Sequence, residues 1–194
     1  MFTRDFPSYP NTPDFGLVAG TLVEGPNGWR PVEELRIGDA VQSYDGGLAR
    51  VLGLDRHWIR ANAGAHLVLL AGGALDNCSD LMLLPNQNLL IDTLGDRALP
   101  DAIVAMIPAA ALEGAFDTKR IRIEQPIEVI TPRFADDEAI FANSGTLLHC
   151  PAIAQVAGDV TSDFFTQLDI FQAKAFLQRT YRVPAQQPQH RRAA

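Results

Sequence analysis

The chain has 194 residues, 47% of them hydrophobic and 20% charged, a composition that suits a globular domain with one sizeable core. Acidic residues outnumber basic ones 23 to 16, giving a net charge of -7. That balance argues against a nucleic-acid binder, which needs a basic face to displace counterions, and against docking on an anionic membrane.

Residues 1–15, MFTRDFPSYPNTPDF, contain three prolines and no apolar signal core, so they read as an extended N-terminal arm and not as a secretion signal. No run approaches the ~20 apolar residues of a membrane span. The default location is therefore the cytoplasm. Residues 18–23 form a short apolar strand, and Glu24-Gly25-Pro26-Asn27-Gly28 is a turn because Gly and Asn tolerate positive φ and Pro presets the bend. Residues 29–35 contain PVEEL, followed by Arg36-Ile37-Gly38-Asp39. Residues 40–44 are strand-like, Asp45-Gly46-Gly47 is a hairpin turn, and residues 48–59 alternate at Val51, Leu52, Leu54 and Trp58 as one strand.

Further strands are expected at 66–70, 81–84, 89–91, 102–106, 120–124, 127–130, 139–142 and 146–148. Short strands punctuated by Gly, Pro, Asn and Asp predict an all-β body. One stretch within it, LPNQNLLI, sets three amides, Asn86, Gln87 and Asn88, at the mouth of an apolar strand. The end of the chain differs. Ser162-Asp163 can cap a helix over 163–179, with Phe164, Leu168, Phe171 and Ala175 on one face and Phe165, Ile170, Phe176 and Leu177 widening it. That stripe is expected to pack on the β body and not on a partner. The predicted organisation is an arm (1–15), a β domain (16–152), a helical extension (153–183) and a disordered tail (184–194).

The chemistry-bearing residues are few. The two cysteines, Cys78 and Cys150, make no disulfide framework. Neither they nor His57, His66, His149 and His190 stand at zinc-ligand spacing, so no metal and no cofactor is expected. Asp136-Asp137-Glu138 reads as a solvated acidic turn before a cation site.

The order of motifs resembles the Hint family of hedgehog and intein self-processing domains, most closely its bacterial branch. GLVAGTLVEGPNGWRPVEELRIGDAVQSYDGG carries the first block: Gly20-Thr21, a turn, Val32 to Leu35, Gly38-Asp39 and Asp45-Gly46. AGGALDNCSDLMLLPNQNLLID is similar to the segment ending S-P-x-H-x-x-L-L, and IVAMIPAAALEG to V-P-A-x-x-L. IEVITPRFADDEAIFANSGTLLHC resembles the closing block, and LDIFQAKAFL the helix that follows it. The resemblance implies a Hint-type body of short, bent strands and autocatalytic chemistry. In that chemistry a Cys or Ser attacks the preceding carbonyl while a T/S-x-x-H pair protonates the scissile amide.

This sequence departs from that pattern where the chemistry resides. The nucleophile position falls on Gly16, the T/S position on Leu84, its histidine on Gln87, and the late histidine on Asp137. Glycine cannot attack, and a carboxamide cannot transfer a proton at neutral pH. His149 stands at the intein-like end, but Cys150 replaces the cyclising Asn. The expectation is a Hint-like module without self-cleavage. Gly16, Thr21, Gln87, Asp137 and His149 would line a groove that holds an extended peptide, such as the chain's own arm. The alternative is residual self-processing with Cys150 as nucleophile and His149 as its base. Neighbours on a strand point to opposite faces, which counts against that pair.

Overall fold

Turns break up runs that hydrophobicity alone would join. The computed structural model describes residues 15–45, 47–61, 65–155, 162 and 164–181. Residues 1–14, the tail after Tyr181, Gly46 and Asp163 lie outside the described residues. The described strands are β1 (Leu17–Val18), β2 (Leu22–Gly25), β3 (Gly28–Pro31), β4 (Ala40–Gln42), β5 (Leu48–Arg50), β6 (Gly53–Ile59), β7 (His66–Leu70) and β8 (Leu81–Leu83). They continue with β9 (Asn88–Asp92), β10 (Val104–Pro108), β11 (Thr118–Arg122), β12 (Ile127–Arg133), β13 (Glu138–Ala142), β14 (Thr146–Cys150) and β15 (Thr166–Gln167). One α-helix, α1 (Ile170–Thr180), ends the described chain, and short 3-10 turns occupy Val32–Glu34 and Ala109–Leu112. The fold is therefore mainly β with a C-terminal helix.

The strands form a six-stranded sheet in the order β11-β7-β8-β1-β12-β6, a seven-stranded sheet in the order β15-β10-β9-β14-β13-β2-β3, and the pair β4-β5. Residues 18–23 are not one strand. Gly20 takes φ +90° and Thr21 N–H donates to Val18 C=O at 3.0 Å, so the chain turns and β1 and β2 enter different sheets. Residues 48–59 divide likewise. Val51 N–H donates to Asp39 C=O and Leu52 N–H to Arg133 C=O, both at 2.8 Å, so successive amides bond to different partners. β5 then pairs with β4, and β6 with β12.

The main core lies between the two large sheets. It takes Leu17, Val68, Leu70, Leu81, Leu83 and Ile130 from the six-stranded sheet, and Leu89, Ile91, Ala105, Ile107, Ile140, Leu148 and Cys150 from the seven-stranded one. The alternate residues of each sheet form separate clusters on the outer faces, as the two-residue period of a strand requires.

The helix begins later than the pattern of aromatics suggests. Asp169, not Ser162-Asp163, is its N-cap: the Asp169 carboxylate accepts from Phe171 and Gln172 N–H, and Gln172 Oε1 accepts from Asp169 N–H. This reciprocal capping box fixes the start. Ser162 Oγ instead accepts from Phe164 and Phe165 N–H in a local turn, and Thr166–Gln167 join β10 as a parallel strand. The buried helix face is Ala173, Phe176 and Leu177, while Phe164 and Phe171 are 70% and 82% exposed. The stripe expected from residue spacing is thus displaced. No described helix is long and apolar enough to cross a membrane.

Candidate functional site

β14 runs antiparallel to β9, β9 antiparallel to β10, and β10 parallel to β15. β14 and β15 are therefore parallel. On one face of β14 the Phe165 ring meets the His149 ring edge-on, with centroids 6.4 Å apart at 84°. His149, the start of β1 and the loop before β9 converge here.

Gln87 is at the centre. It is 1% exposed, and each of its polar groups is engaged. Its Oε1 accepts from Gly16 N–H at 2.9 Å, and its Nε2 donates to the carbonyls of Asn88 and His149, each at 2.9 Å. Its backbone N–H donates to Leu84 C=O, and its carbonyl accepts from Ala109 N–H. One carboxamide thus ties the entry to β1, the start of β9 and the end of β14. Of the three consecutive amides, Asn86 is exposed, while Gln87 and Asn88 are buried. The amides are buried because the chain there has backbone groups to satisfy, and a buried polar group must be paired.

Gly16 has φ +126°, a conformation that disfavours any residue with a Cβ. A Cβ built there would lie 2.6 Å from Val129 Cγ1 and 2.7 Å from Thr131 Oγ1. The space for a nucleophile's side chain is filled by β12. Sequence reasoning missed Val129 and Thr131 as walls of the site, because nothing in their local pattern distinguishes them from other strand residues. It missed Phe165 for a different reason, since that residue had been assigned to the helix.

His149 is 2% exposed. Its Nε2 has no hydrogen-bond partner among the described residues and stands 3.7 Å from Asp137 Oδ1, which accepts from Ala152 N–H at 3.0 Å. Burial holds the imidazole below the ordinary histidine range, and the Asp137 carboxylate opposes that shift only in part. Gly16, Gln87, His149 and Asp137 therefore form a connected chain of contacts.

The side chains of the remaining candidates lie outside that chain of contacts. Leu84 is 3% exposed and packs in the outer cluster of the six-stranded sheet with Val18 and Val129. Thr21 is buried and connects through its backbone to Val18 and Val32. Cys150 is fully buried in the main core, on the opposite face of β14 from His149. Burial pushes its thiol well above the usual range, Glu138 adds to the shift, and Arg133 opposes it. This is the reverse of an activated thiolate. Cys78 is exposed and free.

Among solved structures, the chain is similar to a bacterial intein-like domain from Clostridium thermocellum, at 14% identity and TM-score 0.47, covering 70% of this chain and 98% of that one. It is also similar to the AceL NrdHF class 3 split intein in a splice-inactive form, at 13% identity and TM-score 0.44, covering 71% and 97%. The MchDnaB-1 intein gives 13% identity and TM-score 0.40, covering 68% and 98%. No curated protein matches the chain. The sequence profile of the Hint domain matches residues 15–147, from the residue before Gly16 to two residues before His149. It spans most of the chain and every strand from β1 to β13, and on that match the chain belongs to the Hint domain family.

Proposed function

We propose that this Hint domain does not cleave itself, and that the position of the family's catalytic centre serves as a clasp on the backbone passing through it. The observation that carries this reading is the bond from Gly16 N–H to Gln87 Oε1 at 2.9 Å. Acyl shift at the Phe15–Gly16 amide requires a nucleophile on residue 16 and a proton donor at its nitrogen. Gly16 supplies no nucleophile. Gln87 presents a carbonyl oxygen to the amide N–H and has no proton to transfer to the nitrogen. The domain then works as a structural or binding module that holds an extended peptide.

The competing reading makes Cys150 a nucleophile and His149 its base. Two features oppose it: the side chains lie on opposite faces of β14, and the thiol is held protonated by burial. The test is the intact mass of the full-length protein after prolonged incubation with a thiol or hydroxylamine. An unchanged mass is expected. A fragment cut between Phe15 and Gly16 overturns the proposal, and a fragment cut beside Cys150 establishes the competing one.

A further inference from the structure

Charge is not spread evenly over the strands. β11 reads TKRIR, so three of the chain's 16 basic residues, Lys119, Arg120 and Arg122, fall within four positions of a protein whose net charge is -7. All three are exposed. β11 also ends the six-stranded sheet, and among the described residues it pairs with β7 alone. Its outer edge therefore carries backbone N–H and C=O groups that no described strand takes up. The nearest acids along the chain, Asp117 and Glu124, lie beyond its two ends. The Glu113 carboxylate stands 3.4 Å from Arg120 Nε and leaves that side chain 62% exposed.

We propose that this edge takes up an acidic, extended segment of another polypeptide as a further strand. The register with β7 sets the pattern such a segment must carry. Arg120 lies opposite Val68 and Arg122 opposite His66, so both point to the face that carries the main core. Ile121 lies opposite Leu67, on the other face, and is half-buried. A strand added beyond β11 continues both faces. It meets Arg120 and Arg122 with acids two residues apart, and it sets an apolar residue beside Ile121 between them. Main-chain bonds to the edge give affinity, and the acid–apolar–acid alternation gives specificity. β11 of a second copy is a poor occupant, because it brings like charges together across the new pair. These 194 residues do not contain the triplet either: the only acids two positions apart are Asp136 and Glu138, and Asp137 stands between them. The edge lies three strand spacings, about 14 Å, from β1, so it is separate from the clasp on Gly16.

Charges on an edge strand also keep copies of a protein apart, a duty that needs no partner. Fluorescence anisotropy with the full-length chain and fluorescein-labelled peptides separates the two. The probe is GTEVEETG, whose E-V-E triplet faces Arg122, Ile121 and Arg120 in antiparallel register while its next acid faces Lys119. Saturable binding is expected, about ten-fold tighter than that of GTKVKKTG. Methylating the backbone nitrogens of the valine and the residue after it keeps the charge. Successive N–H groups point to opposite edges, so one ladder donor is lost whichever edge faces β11, and binding is expected to weaken about ten-fold. Bound GTEVEETG is expected to slow hydrogen exchange at outward-facing amides within residues 119–122 and to leave the other sheet edges, β3, β6 and β15, unchanged. Arg122→Glu is expected to weaken GTEVEETG about five-fold and to be rescued by GTKVEETG, which carries the matching charge. No binding, equal binding of the methylated peptide, or slowed exchange at another edge each overturn the proposal. A dimer that Arg122→Glu dissociates makes the occupant a second copy and overturns it as well.

Discussion

Gln87 does with hydrogen bonds what a longer list of contacts does elsewhere. Replacing it with leucine keeps the volume but strips the partners from Gly16 N–H and from the Asn88 and His149 carbonyls. Each buried group left unpaired costs about 1–3 kcal/mol, so with three such groups Gln87→Leu is expected to lower stability by about 3 kcal/mol or more in urea unfolding. Gly16→Cys restores the family's nucleophile in name only. The positive φ and the contacts with Val129 and Thr131 predict a loss of about 2–4 kcal/mol, with no cleavage product by mass. Gly16→Ala should lose a similar amount, because the Cβ and not the thiol causes the clash. His149 gives a pH signature. Its folded pKa is depressed by burial, so it contributes stability that is present above the unfolded value near 6.5 and lost as pH falls through the lower folded value. Over that window the slope is at most about 1.4 kcal/mol per pH unit. The difference in urea stability between the wild type and His149→Gln, measured from pH 7.5 to pH 5, should shrink as pH falls.

At the scale of elements, α1 shows why boundaries are harder to read than faces of sheets. The residues 163–179 do offer aromatics at helical spacing, and Ser162 does bond to the next amides. What decides the start is a pair of contacts seven residues later, the capping box of Asp169 and Gln172, together with the chance for Thr166–Gln167 to pair with β10. That second term is tertiary and invisible in local sequence. Asp169→Ala is therefore expected to cost about 1 kcal/mol, and Ser162→Ala to fall within about 0.5 kcal/mol of wild type, by thermal unfolding. The same displacement reverses two aromatics. Phe176, fully buried, should cost about 3–5 kcal/mol when cut to alanine, whereas Phe171→Ala should be nearly silent. The strands tell a parallel story. Their alternation located nearly all of them, but where two strands joined without a loop, at Ala19-Gly20 and Val51-Leu52, the pattern ran on while the hydrogen bonds changed sheets.

For the whole molecule, which residues the motifs single out was legible, and how they touch was not. Gly16, Gln87, Asp137 and His149 make one chain of contacts, while Leu84 and Thr21 are buried in the packing, Leu84 with its carbonyl on Gln87 N–H. Parity also sorts the two thiols. Cys150 lies between the large sheets with Leu148 and Ile140, so reagent reaches it only when the sheets part. Cys78 sits at the surface with no such barrier. A thiol reagent added to the native protein should therefore consume one thiol per chain quickly. The second should react at a rate that rises with urea in step with global unfolding, since the opening that exposes it dismantles the main core. If Cys150 instead labels in native buffer as fast as Cys78, the face of β14 that carries it opens locally. The two-sheet core would then not be a single cooperative unit.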